Sequence, residues 1–97
     1  MTARRSSAAF DVVVVGAGVV GSAIARDLTV HGLSVALVEA DNDVGNGTSK
    51  ANTAILHTGF DSVPGELETE MILRAAELRD PVLEGLGVPV FRCGALM

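Results

Sequence analysis

The chain has 97 residues, enough for one small domain with a thin core, and 48% of them are hydrophobic, which argues against disorder over most of its length. Its net charge of −5 argues against nucleic acid as a partner, because phosphate neutralisation needs clustered Lys and Arg, and only Arg4 and Arg5 lie side by side. The single cysteine, Cys93, excludes an intrachain disulfide and suits a reducing compartment.

Residues 1–9 read as a loose polar tail. The two arginines ahead of an apolar stretch resemble an export signal, but Asp11 interrupts that run and the glycines behind it form a better-defined pattern. No stretch reaches the ~18 uninterrupted apolar residues of a membrane span. With aromatics at 3% and neither Trp nor Tyr, the core is expected to consist of Val, Leu, Ile and Ala.

Asp11 to Val15, "DVVVV", is a β-branched run without polar alternation, which predicts a strand buried on both faces, as in a helix-covered parallel sheet. Val19, Val20, Ala23, Ile24, Leu28 and His31 follow at mostly helical spacing, and Gly32 is placed to end that helix in a left-handed conformation. His31, at the helix end, suits the dipole there and reads as structural. "LSVALVEA", Leu33 to Ala40, predicts a second strand. Strand, helix and strand in about thirty residues make a βαβ unit.

Between the first strand and the helix lies "GAGVVG", Gly16 to Gly21, a G-x-G-x-x-G pattern. The pattern alone is weak; its place after a buried strand and at a helix start gives it meaning. Gly16 permits the tight turn, Gly18 lets the backbone approach a pyrophosphate, and Gly21 lets the helix pack closely on the strand. The backbone from Gly16 through Ala17, Gly18, Val19 and Val20 to Gly21 then faces the phosphates with free N–H groups and the positive helix end. Glu39 ends the second strand 23 residues (39 − 16) after Gly16, near the ~20 expected of an acid that accepts the adenosine ribose hydroxyls. A carboxylate there repels a 2′-phosphate and disfavours NADP. Dinucleotide binding follows, with FAD and NAD both open at this point.

Asp41 to Ser49 is a polar loop. A second helix is predicted from near Pro64 and Gly65, with Leu67, Met71, Ala75, Leu78 and Val82 on one face. Pro64 suits the helix start, whereas Pro81 is expected to break or kink the helix after Arg79 or Asp80. The acids of "ELETE", Glu66 to Glu70, suit the positive amino-terminal end rather than a metal, and Glu70 with Arg74 reads as a solvated ion pair. "VPVFRCGALM" reads as a strand, in which Cys93 is a small core residue with no base beside it. Two strands are fewer than the three a doubly wound half needs. The chain therefore reads as the amino-terminal piece of a longer protein, whose open apolar sheet edge argues against independent folding.

Two runs together carry a resemblance: "DVVVVGAGVVGSAIARDLTVHGLSVALVEA" and "TSKANTAILHTGFDSVPGELE". From Phe10 onward the chain resembles the start of FAD-dependent glycerol-3-phosphate dehydrogenases and oxidases. It is similar too to L-2-hydroxyglutarate oxidases, within the D-amino-acid-oxidase-like flavoprotein superfamily. The resemblance implies FAD rather than NAD. It implies a Rossmann-like FAD/NAD(P)-binding α/β fold, with a parallel sheet and βαβ unit, that stops at the start of a substrate domain. The expected organisation is a tail over 1–9, an FAD-binding unit and flavin-contacting loop over 10–60, and an incomplete lead into the substrate domain over 61–97.

The resemblance further implies that Thr48 and Ser49 lie near the FAD pyrophosphate and that Asn52 and Thr53 line the path to the flavin. Ala40, beside the ribose-binding acid, joins the cofactor-binding set, although a basic residue is frequent there. His57 is implied to lie near the flavin as a general base; an imidazole suits proton transfer near neutral pH. Read from its own neighbours, His57 could instead cap a short buried strand, "AIL", with its ring bonded to backbone. Ala54 stands where many relatives have glycine, and Pro81 is unexpected in the second helix.

The expected activity is oxidation of a small hydroxylated substrate, glycerol 3-phosphate first, with electrons passed to a quinone or oxygen. A 2-hydroxy acid or amine as substrate, or a non-catalytic nucleotide-binding module, are the alternatives. The expected location is cytoplasmic, with peripheral membrane association of the whole protein left open.

Overall fold

The computed structural model describes residues 8–96; of the tail placed at 1–9, residues 1–7 lie outside the described residues, as does Met97. The chain divides into two compact units, one running to Thr53 and the other from Ala54 onward.

In the first unit, strand β1 (Val12–Val15) and strand β2 (Val35–Val38) form a parallel pair joined through helix α1 (Val19–Val30), the expected βαβ order. Both strands are shorter than their apolar runs. The register sets Val12 opposite Val35 and Val15 opposite Val38. Asp11 and Ser34 fix its starting point. The Asp11 carboxylate accepts the Ser34 N–H at 2.8 Å and its hydroxyl at 2.7 Å, while the Asp11 N–H donates to the Ser34 hydroxyl at 3.0 Å.

The expectation of strands buried on both faces needs correction. Val12 and Val14 are half-buried, whereas Val13 and Val15 are 57% and 83% exposed. Within this unit α1 covers one face only, so alternate valines of β1 differ sharply in burial. The buried residues among those described are two alanines, Ala17 and Ala25, rather than the larger aliphatics.

Helix α1 ends as expected. Gly32 takes φ +83° and donates to the Thr29 carbonyl at 3.0 Å, while Leu33 donates to Leu28 at 3.2 Å. These two bonds satisfy carbonyls that the last turn leaves without partners. His31 has the structural place expected of it, its ring Nδ1 lying 2.8 Å from the Asp27 carbonyl oxygen.

The second unit holds helix α2 (Leu67–Gly85), which Glu66 precedes in extended conformation. Glu68 and Glu70 occupy its first turn, where the dipole favours acids. Three expectations change here. Pro81 lies inside a helix that runs on to Gly85, so the lost N–H bond does not end it. Arg74 pairs with Glu77 at 2.7 Å, one turn forward, rather than with Glu70. The half-buried face carries Ile72, Ala76, Arg79 and Leu83, displaced by one residue from the expected stripe. That face meets the segment preceding the helix: a Cβ on Gly59 would touch Ile72 and Leu73 side chains at 3.5 Å.

Residues 88–96 pair with no strand among the described residues, so the expected terminal strand is not formed there. A strand needs a ladder partner, which an apolar sequence does not supply by itself. Cys93 is exposed, not a core residue. No helix among the described residues is long and apolar enough to cross a membrane.

Candidate cofactor-binding site

The glycine loop is built around a pinned peptide. The Gly16 N–H donates to the Val38 carbonyl at 2.7 Å, which carries the strand pairing one step past β1. Gly16 itself has φ +102°, a conformation that side chains disfavour. Next to it, Ala17 is 1% exposed with both backbone groups engaged. Its N–H donates to Glu39 Oε2 at 2.7 Å, and its carbonyl accepts the Gly45 N–H at 2.8 Å.

Gly21 is the tightest point. A Cβ there would fall 1.8 Å from the Gly16 carbonyl oxygen and 3.5 Å from Val14 Cγ1, so only glycine lets α1 approach this closely. The close approach assigned to Gly21 from the sequence is therefore real, and its principal neighbour is the loop carbonyl.

Glu39 follows β2 directly. Besides Ala17, it accepts the Ala40 N–H at 2.9 Å and the Asp41 N–H at 3.1 Å, both on Oε1. These bonds, the Ala17 N–H foremost and the Asp41 N–H next, hold its carboxyl below the ordinary value. Three of a carboxylate's about four acceptor positions are filled, which leaves room for one ligand hydroxyl. Ala40 thus takes part through its backbone.

The segment after the loop returns to the helix start. Gly18, the residue before α1, has no side chain to cap it, and no acid lies in the first turn. Ser49 supplies the cap from thirty residues away: its Oγ accepts the Val19 N–H at 2.8 Å. A Cβ on Gly18 would stand 3.1 Å from that oxygen, so a larger residue would crowd the cap. Asn52 braces the turn that presents Ser49, its amide donating to the Thr48 and Ser49 carbonyls at 3.1 and 2.9 Å. Thr48 thereby contributes its carbonyl, while Thr53 is exposed at the end of this unit.

An open groove of about 430 Å³ lies at the amino-terminal end of α1. Ala17, Gly18, Val19 and Ser22 form one side; Val44, Gly45, Ser49 and Lys50 form the other. Sequence reasoning missed Ser22, Val44, Gly45 and Lys50. In the sequence Gly45 and Lys50 stand only as a glycine in a polar loop and a lone lysine beside the hydroxyl pair, residue types that do not by themselves place either at the helix start.

His57 belongs to the second unit. Its ring Nδ1 accepts the Gly59 N–H at 2.9 Å, which requires the neutral ring to carry its proton on Nε2. Nε2 lies 3.1 Å from Asp61 Oδ1, and Phe60 stacks on the ring at 5.9 Å between centroids. The His57 carbonyl accepts from Arg79 at 3.2 Å. Backbone bonding of the ring thus matches the structural alternative for His57, but no strand forms over Ala54 to Leu56. Instead Ala54 takes φ +55°, the left-handed region that favours glycine. No cluster of metal-binding side chains occurs among the described residues.

Comparison with known proteins fits this geometry. Residues 11–97 match the family described as FAD dependent oxidoreductase. The chain is 47% identical over 88 residues to a glycerol 3-phosphate dehydrogenase of Caloramator mitchellensis, covering 91% of the chain and 18% of that protein. To a mitochondrial L-2-hydroxyglutarate dehydrogenase of Arabidopsis thaliana it is 34% identical over 87 residues, covering 90% of the chain and 18% of that protein. A glycerol 3-phosphate oxidase of Mycoplasma genitalium matches at 42% over 57 residues, or 59% of the chain and 15% of that protein. The matches therefore span only 15% to 18% of the length of these relatives.

Proposed function

The chain belongs to the FAD-dependent oxidoreductase family, and from that premise we propose that it is the amino-terminal, FAD-binding part of an enzyme oxidising a small hydroxylated substrate. Glycerol 3-phosphate is the first choice of substrate, favoured by the 47% identity to a dehydrogenase named for it. L-2-hydroxyglutarate is the second, favoured by a 34% match that covers nearly as much of the chain.

The observation that carries the cofactor reading is the pinned Ala17 peptide, with Glu39 on one side and the open end of α1 on the other. The residues present fit FAD. Glu39 has an acceptor position for a ribose hydroxyl, with Ala40 fixing its orientation. The backbone of Gly16, Ala17, Gly18, Val19, Val20 and Gly21 offers N–H groups and close approach to a diphosphate. Thr48 and Ser49 lie beside that diphosphate in this reading, and Asn52 and Thr53 lead from it toward the flavin.

Bound FAD supplies a hydride acceptor for the substrate carbon, from which electrons pass to a quinone or oxygen. For the protein's part, we assign His57 as the base that takes the hydroxyl proton. Its Asp61 contact supports the assignment, because a carboxylate that accepts a hydrogen bond from Nε2–H leaves Nδ1 as the basic atom. Nδ1 must then exchange the Gly59 N–H for the substrate hydroxyl. The proposed location is cytoplasmic, with membrane association following from a quinone acceptor.

Anaerobic bleaching of the flavin in the complete enzyme tests the substrate. Glycerol 3-phosphate should bleach it fastest across a panel with 2-hydroxy acids and amines. Faster bleaching by L-2-hydroxyglutarate would select the second reading, and no bleaching by any of them would reject both.

A further inference from the structure

We propose that Lys50 is the cation that pairs with the cofactor's diphosphate, while the Ser49 hydroxyl, seated on the first N–H of α1, donates to the same group. The proposal deepens the FAD reading above and rests on it.

The first observation is the direction of the Ser49 bond. Its oxygen accepts the Val19 N–H at 2.8 Å, which leaves the hydroxyl's own proton free to be given to an anion. The N–H groups of Val20 and Gly21 follow in the first turn, where a helix has no internal acceptor for them. Gly18 has no Cβ to obstruct this end of the helix, and the atom nearest to where one would stand is Ser49 Oγ.

The second observation is charge. In a chain with twelve acids and seven bases, Lys50 is the one ionised side chain lining the groove. Among the described residues no carboxylate pairs with it. A diphosphate carries two negative charges at neutral pH, and the positive end of α1 amounts to about half a unit charge. The backbone thus leaves most of the diphosphate charge uncompensated, and Lys50 is the side chain placed to offset it.

The third observation is that Lys50 is held beside the helix end by its own turn. Its N–H donates to the Gly47 carbonyl at 3.1 Å, and the Asn52 amide ties down the Thr48 and Ser49 carbonyls on either side of the cap. One short turn therefore delivers a hydroxyl donor and a cation to the same place.

FAD affinity of the apo form of the complete enzyme, followed by flavin fluorescence between low and high salt, tests this. Lys50→Met should weaken FAD binding about tenfold, with a shallower salt dependence than wild type, and Lys50→Arg should stay close to wild type. Ser49→Ala should weaken binding without changing the salt dependence. Equal affinity and equal salt dependence in Lys50→Met would overturn the role of Lys50. So would equal weakening by Met and Arg, which would mark a packing role rather than a charge. Failure of the wild-type apoprotein to bind FAD would instead reject the cofactor reading itself, so the two failures are distinguishable.

Discussion

The Glu39 carboxylate accepts the Ala17 N–H at 2.7 Å, so the residue that directly follows β2 holds the loop that follows β1. The same carboxylate proposed to receive the ribose therefore also shapes the phosphate-binding turn. Loss of its charge should affect the loop even before any cofactor is present.

A pH dependence follows with a definite sign. Glu39 lies below its ordinary value of 4.5 because the folded chain gives it backbone N–H donors. Its contribution to stability is then complete above that value and is lost as pH falls through the lower folded one. Asp11, lowered from 3.8 by the Ser34 N–H, acts in the same direction. The melting temperature of Glu39→Gln should fall below wild type at neutral pH, and the gap should narrow as pH drops below 4.5 and through the lower folded value. A gap that persists undiminished in acid would contradict the role given to the charge.

Gly21→Ala should be severe. Its Cβ would lie 1.8 Å from the Gly16 carbonyl oxygen, so either the loop or α1 must move. Denaturant unfolding should show a loss of about 3 kcal/mol, the upper part of the range for overpacking. Gly47→Ala is the control, because nothing lies within 4 Å of its Cβ. Similar stability of the two variants would refute the close approach.

For His57, the Gly59 and Asp61 contacts require the Nε2-protonated tautomer, which nitrogen-15 NMR of the ring detects directly. His57→Asn in the complete enzyme should retain FAD and slow flavin reduction by about 10²-fold or more, the effect of losing a general base. Unchanged reduction would return His57 to a structural role, holding the Gly59 turn.

Ala54→Gly should stabilise the fold by about 1 kcal/mol, since alanine at φ +55° carries a steric cost that glycine avoids. Thermal or denaturant melts of the two proteins measure it. A lower stability for the glycine form would mean that something beyond backbone sterics holds Ala54 in place.

Much of the cofactor site was legible because its requirements are local. A β-branched run, three glycines at fixed spacing, a helix stop at Gly32 and an acid at a strand end each act within a few residues of themselves. Steric exclusion at Gly21 and left-handed backbone at Gly32 are properties that sequence displays openly. Lys50 and Gly45 were not legible, because their place in the site depends on a loop folding back across about thirty positions onto the start of α1. His57 was visible as a residue type, but its tautomer depends on which donors surround the ring.

By itself, the sequence determined the βαβ order, the glycine turn and the position of Glu39, which follow from backbone sterics and short-range spacing, whereas FAD rather than NAD followed from the family resemblance. Only the tertiary structure decided that Val13 and Val15 face outward, that α2 turns Ile72, Ala76 and Arg79 inward, and that its helix runs through Pro81. Burial depends on what covers a surface, and periodicity states only which residues share one. The same reason separates the two halves of "GTSKANTAILHTG". Its residue types announce a polar site, but the Val19 N–H chose Ser49 as its acceptor, and that contact exists only once the chain has folded.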